Sequence, residues 1–148
     1  MITYLKGDVT KLSSDNKVIK VIPHIVNKIA DIGSGVALGL ARKLRREKEL
    51  NTSTTLGENE YIIVESDKIV VNMVAQHETI RENNKPIRYE ALVKCMGKIR
   101  EYIKSYSNYG DKVEIHCPKF GSLRAGGSWD FIEELIEEIW KDIPVFIY

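Results

Sequence analysis

The chain has 148 residues, 43% hydrophobic and 29% charged, with a net charge of +1. That length suits one domain with a real apolar core, and the near-zero charge excludes recruitment to nucleic acid or membrane by an overall field. No apolar run reaches membrane-spanning length, and Cys95 and Cys117 fit neither a metal spacing nor a disulfide framework.

In chain order, Ile2 to Leu5 reads as a short strand. Lys6-Gly7-Asp8-Val9-Thr10 then turns away, with Asp8 placed to cap the turn. Lys11 to Lys17 is polar. Within the apolar stretch Val18 to Val26, Val18 to Ile22 is apolar enough for a strand buried on both faces, and Pro23 sits where such a strand would end. His24 faces either the core or a site. Asn27 stands where open α/β sheets bind ligands, at the carboxyl end of a strand. A Gly33-Ser34-Gly35 turn follows, then a helix from Val36 to Lys48 with a basic run on its solvated side. Glycines permit a tight turn and close approach, and a helix N-terminus offers free N–H groups to a phosphate.

Tyr61–Glu65 and Lys68–Val74 read as a hairpin joined by Ser66-Asp67. Gln76 to Ile87 is a polar excursion carrying His77. Arg88 to Ser107 is a long helix with Leu92, Met96, Ile99 and Ile103 as its buried stripe. Val113 to Cys117 is a strand, closed by Pro118. A second glycine loop follows, from Phe120 to Gly127, with Ser128 as N-cap of the last helix. That helix has an apolar face of Phe131, Ile132, Leu135, Ile136, Ile139 and Trp140. Val145 to Tyr148 closes the chain as a strand. The alternation predicts an α/β fold with a mixed, mostly buried sheet between helices. Both cysteines sit in apolar contexts and are expected to be buried free thiols, which suits a reducing compartment. Met1 leads straight into a strand, so a cytoplasmic protein is expected.

Two strand–glycine loop–helix units in one domain could clamp the two phosphates of one ligand. At this point the order of motifs resembles the macrodomain family, and within it the bacterial and phage branch associated with ADP-ribose 1″-phosphate. The residues that carry the resemblance are Lys6-Gly7-Asp8, Ile22-Pro23-His24 with Asn27, and Gly33-x-Gly35-x-Ala37. Further on come Asn72-Met73-x-x-Gln76-His77, Pro86 to Leu92, Pro118-Lys119-Phe120-Gly121 and Ala125-Gly126-Gly127-x-Trp129. The resemblance implies a three-layer α/β/α sandwich over residues 1–148, with an ADP-ribose cleft at the strand ends and no cofactor or metal. It implies that Asp8, with Val9 beside it, accepts from the adenine amino group and that Asn27 touches the terminal ribose. It also implies that Gly33, Ser34, Gly35 and Val36, with Gly121, Ser122, Leu123, Arg124, Ala125 and Gly126, wrap the diphosphate.

The chain departs from the family pattern at Lys28 and Ala30 in the first loop. In the second loop it departs at Leu123, Arg124 and Ser128, where the family has Gly, Leu and Asp. Relatives that hydrolyse ADP-ribosyl bonds through a Lys nucleophile and a loop Asp have no counterpart here, because Ala75 or Gln76 and Ala125 stand near those positions. The leading expectation is hydrolysis at the terminal ribose, as in ADP-ribose 1″-phosphate, with His24 as acid/base, His77 in reserve and Asn27 orienting substrate or water. A second is a module that binds ADP-ribose or ADP-ribosylated protein without chemistry. A third is a degenerate macrodomain whose basic helix binds RNA or a protein. Nucleic acid is disfavoured because no aromatics interleave with the basic run.

Overall fold

Apolar residues two apart, in short runs closed by Pro, Asn or a polar pair, give this chain its strands. The structure is a computed structural model and describes residues 1–14, 17–27, 55–76, 87–122 and 126–148. The described strands are β1 (Ile2–Tyr4), β2 (Val18–Asn27), β3 (Asn59–Glu65), β4 (Lys68–Gln76), β5 (Lys112–Cys117) and β6 (Val145–Ile147). They form one sheet in the order β1-β6-β5-β2-β4-β3. All pairs are parallel except β3 with β4, which is the hairpin expected around Ser66-Asp67. The carboxyl ends of β1, β6, β5, β2 and β4 therefore lie along one edge.

Helices α1 (Tyr89–Ser107) and α2 (Trp129–Ile139) pack on one face of the sheet. The α1 stripe of Leu92, Cys95, Met96, Ile99 and Ile103 is buried against Val71, Met73 and Ala75 of β4 and Ile115 and Cys117 of β5. Trp140, at the end of α2, is fully buried and its indole N–H donates to Met96 O at 3.0 Å. The opposite face carries a smaller cluster of Val9, Ile22, Ile62 and Val70 under the 3-10 turn Val9–Lys11. The helix expected over 36–48 lies outside the described residues, as does the Gly33–Val36 turn. Among the described residues, no helix is long and apolar enough to cross a membrane.

Two expectations change in detail. Pro23 does not end its strand, which runs on to Asn27. The β2–β5 ladder stops at Val21–Ile115 while the β2–β4 ladder continues through Pro23–Val71, so the residue without an N–H falls just past the last β5 pair. Phe131 is not part of the buried face of α2; it is 42% exposed and meets the Tyr89 ring edge-on at 4.8 Å. Asp67 is a turn residue, yet it is buried, because Lys20 reaches it at 3.3 Å and fastens the hairpin to β2.

Candidate functional site

The parallel strands deliver one loop each to the same edge, where open α/β sheets bind ligands. β1 delivers Gly7 and Asp8. The Asp8 carboxylate caps the 3-10 turn: its Oδ1 accepts from Thr10 N–H at 2.9 Å and from the Thr10 hydroxyl at 2.6 Å. Asp8 is exposed and Val9 behind it is buried, so the turn is pinned while the carboxylate stays at the surface.

β2 delivers Asn27. The pairing with β4 shifts between Val26 and Asn27, so that Val26 faces Val74 and Asn27 faces Gln76. The excursion after β4 is pinched shut at its base by a Gln76–Ile87 bridge and by Arg88 N–H donating to Ala75 O at 2.8 Å. His77 lies in that excursion, outside the described residues.

β5 delivers the second glycine loop. Its base is closed by Gly127 N–H donating to Gly121 O at 2.8 Å. Gly121 has φ 79°, in the left-handed region that favours glycine. A Cβ there would also meet the side-chain ends of Ile87, Ile132 and Ile25 at 2.9 to 3.0 Å. The loop shoulders are fixed as well. Ser122 Oγ donates to Lys119 O at 2.9 Å, Ser128 N–H donates to Tyr89 Oη at 2.8 Å, and Ser128 Oγ caps α2 through Phe131 N–H. Phe120 is buried edge-on against Trp129 and Trp140. Gly126 continues the loop at φ 75°, while Leu123, Arg124 and Ala125 lie outside the described residues. Asp8, the end of β2 and the Gly121–Gly127 loop thus share one edge, the arrangement expected for a phosphate-bearing ligand.

His24 is placed differently from a solvent-facing acid/base. It is 2% exposed, and neither ring nitrogen has a hydrogen-bond partner of ordinary geometry among the described residues. Burial pulls its pKa down to about 4, with Asn72, its register partner on β4, acting weakly the other way. The ring is therefore buried and neutral at physiological pH, and its placement lends no support to the acid/base role expected from sequence. Burial raises both thiol pKa values, that of Cys95 to about 12, so neither is poised as a nucleophile. Among the described residues no group of His, Cys, Asp and Glu could hold a metal ion.

Sequence reasoning passed over Tyr148 and His116. Tyr148 continues past β6, with its N–H on Cys117 O at 3.0 Å, and its ring edge lies beside Gly7. The His116 ring bonds the Tyr148 hydroxyl at 2.7 Å. The one available sequence signal was Glu114 and His116 two apart on a strand, hence on one face.

No family model matches the chain. Among solved structures it is similar over its whole length to a Bacteroides thetaiotaomicron protein of unknown function, at 31% identity, 97% of that chain and a TM-score of 0.82. It is also similar to a macrodomain protein from Streptomyces coelicolor, at 28% identity, covering 100% of this chain and 98% of that one, with a TM-score of 0.75. The chain has the macrodomain fold. A 17.5 kDa protein from the tk-vs intergenic region of phage T4 is 26% identical to this macrodomain over 99% of this chain and 95% of its own. More distantly, the Thermosipho africanus DarTG protein, solved in complex with ADP-ribose, shares the fold. Its TM-score is 0.68 at 15% identity, over 99% of this macrodomain and 41% of that chain.

Proposed function

We propose that this macrodomain binds ADP-ribose along the carboxyl edge of its parallel strands. The observation that carries the reading is the clamped loop at the end of β5, closed by the Gly127–Gly121 hydrogen bond and set beside Asn27 and Asp8. A glycine loop at a helix N-terminus suits a diphosphate through backbone N–H groups. An exposed carboxylate suits an amino donor such as that of adenine, and an amide side chain suits ribose hydroxyls. The ADP-ribose complex of the fold relative points the same way. Asp8, Val9, Gly121, Ser122 and Gly126 are the described members of the set. Gly33 to Val36, Leu123, Arg124 and Ala125 complete it by the family resemblance.

The second reading is hydrolysis of a terminal-ribose derivative, ADP-ribose 1″-phosphate in the first instance. The position of Asn27 at the carboxyl end of β2 favours it, since the terminal ribose would lie at that strand end. Chemistry there rests on positioning and on backbone donors that stabilise developing charge, not on His24. ADP-ribosylated protein is the ligand class that remains for a module without turnover.

Calorimetric titration with ADP-ribose tests the first reading. A saturable micromolar isotherm is expected, weakened about tenfold or more in Asp8→Ala, as for loss of a charge-assisted hydrogen bond. Absence of binding at millimolar ligand contradicts it. Phosphate release from ADP-ribose 1″-phosphate, lost in Asn27→Ala and kept in His24→Leu, separates the enzyme from the binding module.

A further inference from the structure

His116 is 6% exposed and projects from the sheet face opposite the two helices. Its Nε2 lies 3.0 Å from Glu114 Oε1 and its Nδ1 lies 2.7 Å from the Tyr148 hydroxyl. Phe146, its register partner on β6, stacks on the ring with centroids 4.8 Å apart. Lys20, held by Asp67 at 3.3 Å, is the cation that faces it from β2. A carboxylate only accepts, so Nε2 carries the hydrogen. Burial lowers the pKa of the ring, and in its neutral form Nδ1 accepts from Tyr148 O–H. The ring, the tautomer and the phenol direction are all set by these contacts.

Tyr148 joins this buried relay to the cleft. Its hydroxyl end is tethered to His116, and its ring edge lies against Gly7, where an added Cβ would stand 3.8 Å from Cδ2. The same side chain packs against the cluster of Val9, Ile22, Ile62 and Val70, as does Leu12 at the end of the 3-10 turn. Asp8 lies between Gly7 and Val9 in the chain, so Tyr148 stands beside the segment that presents its carboxylate.

We propose that Glu114 and His116 are positioning residues for the Asp8 end of the cleft, acting through Tyr148 to set how sharply the site prefers a purine that bears an amino group. The proposal rests on the ADP-ribose reading above. It names a specificity device within that site: an amino group can donate to Asp8, whereas a purine carbonyl at the same position faces a carboxylate with no hydrogen to share.

The test compares ADP-ribose with its hypoxanthine analogue, IDP-ribose, by calorimetry on the wild type, Tyr148→Phe, His116→Leu and His116→Gln. The wild type is expected to prefer ADP-ribose. Tyr148→Phe removes one oxygen and leaves the ring, and His116→Leu removes the tether. Both are expected to weaken ADP-ribose about tenfold and IDP-ribose much less, which narrows the preference. His116→Gln can donate to Glu114 and accept from Tyr148, and is expected to stay within about twofold of the wild type. Thermal melts verify that each variant is folded. Wild-type binding with an unchanged preference in Tyr148→Phe and His116→Leu overturns this proposal alone. Equal loss of both ligands in all three variants also overturns it, since that is a general structural role. A wild type that binds neither ligand overturns the ADP-ribose reading and this proposal with it.

Discussion

His24 shows how a single side chain changes meaning once its surroundings are known. In sequence it is a histidine at a strand end, with an ordinary pKa near neutrality. In the fold it is buried, with Asn72 opposite it in register on β4. The folded ring takes up a proton only near pH 4, while the unfolded chain does so near 6.5. Between those values the unfolded state binds the extra proton, so acidification favours unfolding. The stability this group contributes is whole above pH 6.5 and falls away towards pH 4, by up to about 3 kcal/mol. His116, also lowered by burial, adds with the same sign. Urea denaturation at pH 7 and pH 4.5 checks this: His24→Leu is expected to lose distinctly less stability than the wild type over that interval. An equal loss in both would show that another group drives the acid response.

The element at the centre of the proposed site is the loop between β5 and α2. Its two ends meet at Gly121 and Gly127, and a Cβ on Gly127 would stand 2.5 Å from Gly121 O and 2.9 Å from Ile87 Cδ1. Gly127→Ala must therefore open the base of the loop. It is expected to cost on the order of 2 kcal/mol in stability and to abolish ADP-ribose binding. A melting curve beside a titration checks both, and a variant that binds normally would separate the loop from the site. The loop was legible in sequence because glycines, a closing Pro118 and a capping Ser128 bracket it with local signals. The hairpin and the α1 stripe were legible for the same reason, since period and turn chemistry are short-range. What could not be read depended on partners distant in sequence. Pro23 sits inside β2 only because the β5 ladder has already stopped. Phe131 is exposed because Tyr89, 42 positions earlier in the chain, meets it at the surface rather than in the core. His116 and Tyr148 become a pair only when β6 closes against β5.

At the scale of the whole molecule, one mixed sheet places its parallel carboxyl ends on one edge and the Ser66-Asp67 turn on the other. The macrodomain assignment and the edge arrangement converge, since the fold delivers Asp8, Asn27, Gln76 and the Gly121–Gly127 loop to a common rim. The central claim is that this rim holds ADP-ribose. Amide chemical-shift mapping by NMR during an ADP-ribose titration tests it most directly, because it reports location as well as binding. Saturable shifts are expected at Asp8, Asn27, Gln76, Gly121, Ser122 and Gly126, with Ser66 and Asp67 unmoved. Shifts confined to the hairpin edge, or none at millimolar ligand, would contradict the account.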